Sequence, residues 1–147
     1  NCYLFLFLVE TTGGYRVVTG AETRESYLTR RVSYYPAVEY LENTPPRSRV
    51  LFVGEGRAFY CPRDYVASTP FDKSILETYP EKTTGEGELV AALAADGFTH
   101  LLVSDPELRR TRDTTAAAVM ERFFPSGSPR LLFEKNGVRV YELPAPR

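Results

Sequence analysis

Tryptophan is absent from this 147-residue chain, and histidine and methionine each occur once, at His100 and Met120. The only cysteines are Cys2 and Cys61, which permit one bridge and exclude a disulfide framework. A zinc site of Cys and His ligands would need both cysteines, His100 and a carboxylate to converge. The same two residue types allow a Cys61–His100 nucleophile pair. The plainer reading makes Cys61 a small buried hydrophobe beside Tyr60, and His100 a strand-opening residue held by a local hydrogen bond. An excess of one charge is also lacking. Eighteen Lys and Arg face nineteen Asp and Glu, a net charge of −1, so the chain as a whole has no electrostatic reason to seek nucleic acid or an anionic membrane. No Walker pattern, nucleophile elbow, metalloprotease helix or calcium loop is found. Neither a metal nor a cofactor is expected.

What is present describes a globular α/β chain. The composition is 43% hydrophobic and 25% charged, ordinary for a folded domain. Its aromatic residues, ten Tyr and nine Phe, fit an aromatic core better than a sugar-stacking or partner-binding face. Cys2 to Val9 is an unbroken apolar run. It has no basic region before it and no small-residue cleavage site, unlike a signal peptide. As a helix, eight residues span roughly 12 Å of a ~30 Å hydrocarbon core. A fully buried strand and the tail of a transmembrane helix are both open. Glu10-Thr11-Thr12-Gly13-Gly14 closes the run as a turn or a membrane exit.

Residues 1–22 are thus an apolar segment and linker, and 23–147 a single α/β domain. Thr23 caps a short helix carrying Tyr27, Leu28 and Arg31. A second helix has Pro36 in its first turn and Tyr34, Ala37, Val38 and Leu41 facing inward, and it ends at Asn43-Thr44-Pro45-Pro46. Val50–Val53 reads as a central strand and Tyr65–Ala67 as a shorter one. A short helix capped by Asp72 is expected between Phe71 and Tyr79, and a longer one from Glu86 to Asp96. The longer helix buries Leu89, Ala92 and Leu93 and ends at a left-handed Gly97. Phe98–Val103 supplies the next strand. Asp113 opens a last helix, with Ala116, Val119, Met120 and Phe123 inward. Asn136-Gly137 is the preferred pair for a type I′ hairpin turn. It would place Glu134 opposite Arg139, Phe133 opposite Val140 and Leu132 opposite Tyr141. The expected fold is α/β: three layers, a mostly parallel mixed sheet with helices on both faces, and a C-terminal antiparallel hairpin, a Rossmann-like arrangement.

The one candidate ligand site is the turn after the first strand, Gly54-Glu55-Gly56-Arg57, joined by Asp105 if the two central strands are neighbours. Glycines there let a phosphate approach the backbone, but the third glycine of the nucleotide fingerprint is Phe59. A tight turn with an ion-pair cluster of Glu55, Arg57 and Asp105 explains the residues better than a nucleotide or small-ligand site. Arg109, Arg110 and Arg112 form a short basic knot that fits a solvated face better than lipid contact. No residue qualifies as catalytic.

Several strings in combination resemble a known family. They are Glu25-Ser26-Tyr27-Leu28, Tyr34-Tyr35-Pro36-Ala37, Tyr40-Leu41, Pro45-Pro46, Arg49 to Glu55, Phe59-Tyr60-Cys61, Phe71-Asp72 and Gly97 to Val103. Together, over roughly residues 23–104, they look like the C-terminal soluble region of bacterial polytopic GT-C type membrane glycosyltransferases. That group is related to the protein O-mannosyltransferases and the lipid A aminoarabinose transferases. The resemblance implies an extracytoplasmic accessory domain, inactive alone, at the bacterial cell membrane. Its partner would be the transmembrane portion of the same full-length chain, which uses a polyprenyl-phosphate-linked sugar and carries the catalytic acid. Contact with the lipid-linked sugar or the acceptor is a further implied role. The rival expectations are a small-ligand module at Gly54–Arg57 and a protein-interaction domain using a Tyr-rich helix from Tyr27 to Tyr40.

Overall fold

The computed structural model describes residues 2–69, 75–79, 86–111, 118–121 and 129–144. The chain divides into two compact units, 1–35 and 36–147.

The first unit is helical. The apolar run forms helix α1 (Cys2–Thr12), so the strand reading does not hold, and α2 (Tyr15–Val18) and α3 (Arg24–Arg31) follow. Gly13 ends α1 in the left-handed region at φ +66, which glycine adopts without a steric cost. Thr23 caps α3 as expected, its hydroxyl accepting from the Ser26 N–H at 3.2 Å. The unit boundary at 35/36 places α3 with α1 and α2.

The second unit is a five-stranded mixed sheet with helices on both faces. Helix α4 (Tyr35–Leu41) leads into β1 (Arg49–Val53) and β2 (Asp64–Ala67), and a 3₁₀ turn follows at Ile75–Thr78. Then come α5 (Glu86–Ala95), β3 (His100–Ser104), α6 (Asp105–Thr111), β4 (Arg130–Lys135) and β5 (Val138–Glu142). The strand order is β2-β1-β3-β5-β4. β1 is parallel to β2 and β3, and β5 is antiparallel to β3 and β4.

Alternation along the central strands sorts the core. Leu51, Val53, Leu101 and Val103 pack with Leu76, Leu89, Leu93 and Leu108 on one face. Val50, Phe52 and Leu102 point the other way and are equally buried, at 1% exposed or less. Helix α4 lies on that second face, since Tyr40 stacks on Phe133 at 5.1 Å and Phe133 is level with Val140 and Leu102. Burial on both sides is why β1 and β3 lack polar alternation.

The hairpin turn is as expected, with Asn136 at φ 55 and Gly137 at φ 73. Glu134 faces Arg139 and Phe133 faces Val140, but the register then shifts between Leu131 and Phe133, and Leu131 faces Tyr141. A bulge at Leu132 therefore replaces the expected Leu132–Tyr141 pair; the inserted residue turns the edge strand without disturbing β5. Gly97 is left-handed at φ +84. Expected Phe71, Asp72, Asp113, Ala116 and Phe123 lie outside the described residues. Residues 118–121 are helical, with Val119 and Met120 buried.

Candidate functional site

The carboxyl ends of β1 and β3 lie side by side, because their pairing runs from Val50–His100 to Val53–Val103. β1 runs into Gly54, at φ +79. A Cβ there would lie 2.6 Å from Leu108 Cγ and 3.0 Å from the Ser104 carbonyl oxygen. Glycine is required by both the backbone angle and the space. The close approach it permits is to Leu108 of α6.

Glu55 comes next, its side chain 1% exposed. Its carboxylate accepts from Arg57 three times: from the backbone N–H at 2.9 Å, Nε at 2.8 Å and Nη2 at 2.8 Å. The same Nη2 donates to Glu107 Oε1 on α6 at 2.9 Å, and Arg110 Nε donates to Glu107 Oε2 at 2.6 Å. Gly56, between Glu55 and Arg57, is exposed. A buried carboxylate left without partners would cost several kcal/mol, on the order of 3, so the bidentate guanidinium makes Glu55 tolerable here.

Asp105 does not join Glu55 and Arg57 as expected. Its backbone N–H is held by the Gly137 carbonyl at 3.1 Å, which sets it on the β5 side of the sheet. Arg139 Nη2 reaches its two oxygens at 2.6 and 2.8 Å. Glu107 takes the place foreseen for Asp105. Among the described residues, Glu55, Glu107 and Asp105 each face a guanidinium, from Arg57, Arg110 and Arg139. Arg110 of the basic knot is thus paired through an i, i+3 spacing on α6, and Arg112 lies outside the described residues. Such an arrangement locks a turn to a helix and a helix to a strand.

The other candidates are placed as follows. His100 is buried, with Thr99 Oγ1 2.8 Å from its Nδ1, the local hydrogen bond expected. Burial lowers its pKa below the ordinary 6.5, with Glu142 opposing. Cys61 is a free thiol, and burial pushes its pKa above the ordinary 9.0 against the pull of Arg63, which makes it a poor nucleophile. Among the described residues no group of three His, Cys, Asp or Glu side chains could hold a metal ion. Tyr27 is on α3, Tyr35 and Tyr40 are on α4, and Tyr34 lies in the turn between the two helices. Tyr34 is 1% exposed and Tyr40 is stacked on Phe133, so this segment is not a single tyrosine-bearing face.

A second cluster, not foreseen, lies in the first unit. Arg30 holds Glu22 through bonds of 2.8 and 3.2 Å, Tyr27 donates to the Thr12 carbonyl at 3.0 Å, and Arg31 donates to the Thr11 carbonyl. Two side chains of α3 thereby satisfy carbonyls at the end of α1, where the helix dipole favours a cation. The Arg30 bond lowers the Glu22 pKa and raises that of Arg30.

A scan of protein-family models finds no match to this chain, and a search of curated proteins finds none. Among solved structures, the fold is similar to that of the C-terminal globular domain of an oligosaccharyltransferase from Archaeoglobus fulgidus. The TM-score is 0.50 at 10% sequence identity, over 77% of this chain and 97% of that one. The α/β architecture is shared.

Proposed function

We propose that this chain is an accessory, non-catalytic domain of a membrane glycosyltransferase, seated at the extracytoplasmic face of a bacterial membrane beside the transmembrane portion of its own full-length chain. The observation that carries the reading is the likeness of fold to an oligosaccharyltransferase's C-terminal globular domain, which spans nearly all of that domain. The resemblance of residues 23–104 to GT-C type enzymes supports it from the sequence side. Helix α1 fits as the last stretch of a transmembrane helix: Tyr3, Leu4, Phe7 and Leu8 are all at least half exposed. Among the described residues no helix is itself long and apolar enough to cross a membrane.

In this reading the donor is a polyprenyl-phosphate-linked sugar and the catalytic acid belongs to the membrane portion. The domain shapes acceptor access or steadies the transmembrane bundle. The test is glycosyl transfer in membranes carrying the full-length parent with and without residues 36–147. Transfer should fall at least tenfold on deletion, while the 147-residue chain alone transfers and hydrolyses nothing. Full activity after deletion would remove the functional claim.

A further inference from the structure

The chain's one histidine, His100, opens a row of titratable groups across the sheet. Its partner on β5 is Glu142, whose partner on β4 is Arg130. Directly opposite residues share a face, so imidazole, carboxylate and guanidinium follow one another across β3, β5 and β4. The Leu143 N–H donates to the Thr99 carbonyl at 2.8 Å. His100–Glu142 is therefore the adjacent pair without backbone bonds, the kind whose side chains stand closer. Glu142 and Arg130 are paired at 3.4 Å with side chains 46% and 78% exposed, whereas His100 is buried. On β1 the uncharged Val50 lies opposite His100. The one charged residue of α4, which covers this face, is Glu39, and it is exposed. Among the described residues, Glu142 is the charge that acts on the imidazole.

The Thr99 hydroxyl holds the ring from another side. Thr99 Oγ1 accepts from the Arg49 N–H at 2.9 Å, and it lies 2.8 Å from His100 Nδ1 and 3.2 Å from the Arg49 carbonyl oxygen. A threonine hydroxyl has one proton and two lone pairs. The Arg49 carbonyl already takes the Thr99 N–H at 2.9 Å, and Nδ1 is nearer. In the neutral ring the hydroxyl proton therefore goes to Nδ1, and the imidazole carries its own proton on Nε2. Once protonated, the ring must donate from Nδ1 as well. Oγ1 accepts that bond on its second lone pair and turns its proton to the Arg49 carbonyl. Rotation about one C–O bond satisfies both charge states.

We propose that His100 and Thr99 form an acid-sensitive latch on the edge strand β4: proton uptake at His100 reverses its bond to Thr99, and the imidazolium draws the Glu142 carboxylate from Arg130. β4 is the strand such a change reaches, since it lies at the edge, is bulged at Leu132, and has the Glu142 pair at its first residue. β1 and β3 keep their pairing. The latch is independent of the membrane reading above.

The test is NMR of the 147-residue chain with 15N-labelled histidine, in which one imidazole gives one pair of ring signals. At about pH 8, Nδ1 should be unprotonated and Nε2 protonated, a single tautomer. Below pH 6.5 the folded chain should convert to the doubly protonated ring. Over that interval, amide exchange at residues 130–133, corrected for pH, should quicken about threefold relative to 101–103. Glu142→Gln should move the midpoint down and Arg130→Gln should move it up. Thr99→Val should release a second tautomer, and Thr99→Ser should restore the single one. A proton on Nδ1 in the neutral ring, or unfolding before the ring titrates, overturns the latch. A midpoint unmoved by Glu142→Gln, or exchange at 130–133 that stays constant, overturns the handover of Glu142 and with it the control of β4.

Discussion

Two apolar runs of similar composition meet opposite fates in this chain. Leu101, Leu102 and Val103 sit in the middle of a sheet, each at 0% exposed, while Tyr3, Leu4, Phe7 and Leu8 stand out from a short helix. The difference lies in what the neighbours can supply. β3 is flanked by β1 and β5 and covered on both faces, so each leucine leaves water and contributes roughly 2 kcal/mol. α1 carries no charged side chain from Cys2 to Val9 to turn outward, and its polar contacts are at its end, where Tyr27 and Arg31 satisfy the last carbonyls. One run is buried on both sides by its own fold, and the other leaves large apolar side chains exposed.

Matched substitutions sharpen that contrast. Leu101→Ala should cost about 3 kcal/mol in chemical denaturation, because the cavity opens among rigid neighbours. Gly54→Ala is expected to cost about 2 kcal/mol, since the new methyl group meets Leu108 at a positive φ; a pairing with Leu108→Ala should recover part of the loss if the clash is the cause. Arg57→Gln leaves buried Glu55 short of its fork. With Arg57 itself half exposed, solvent screens the pair, and about 1 kcal/mol is the expected loss.

His100 adds a pH-dependent effect of smaller size. Its pKa is lowered by burial, so the unfolded chain takes up the proton first as acid is added. Stability should fall as pH drops below about 6.5 toward the folded-state pKa and level off beneath it. His100→Asn should flatten the thermal midpoint across that window; an unchanged slope would assign the dependence to other groups. Leu8→Ala should be nearly silent in water, within about 0.5 kcal/mol, and the comparison with Leu101→Ala breaks if the two costs are alike.

Much of the second unit was legible from residues alone. Unbroken apolar runs marked β1 and β3, Asn136-Gly137 fixed the hairpin turn, and Thr23 and Gly97 marked helix ends, since each is a local signal. The bulge at Leu132 was not, because a register shift depends on how the edge strand lies against its neighbour. At the candidate site the sequence supplied Glu55 and Arg57, but their third partner was misassigned. Choosing Glu107 over Asp105 requires knowing that β5 lies beside β3 and draws Asp105 toward Arg139, and strand order is not written in spacing. The contacts of α3 with the end of α1 were missed for a similar reason: Thr11 and Arg31 are twenty residues apart and meet only because the chain folds back from α1 to α3. The spacing of Tyr27 and Arg31, which puts both on one face of a helix, was the available signal.

The contrast between the two runs is measured most directly with a single fluorescent reporter in each unit, since the chain has no tryptophan of its own. Phe7→Trp on α1 and Phe59→Trp on the exposed loop after β1 are each mixed with vesicles whose acyl chains carry bromine. Strong quenching at position 7 with none at position 59 is the predicted result. Position 7 left unquenched in vesicles that bind the chain, or both positions quenched alike, would contradict the division into a bilayer-facing helix and a water-facing sheet unit.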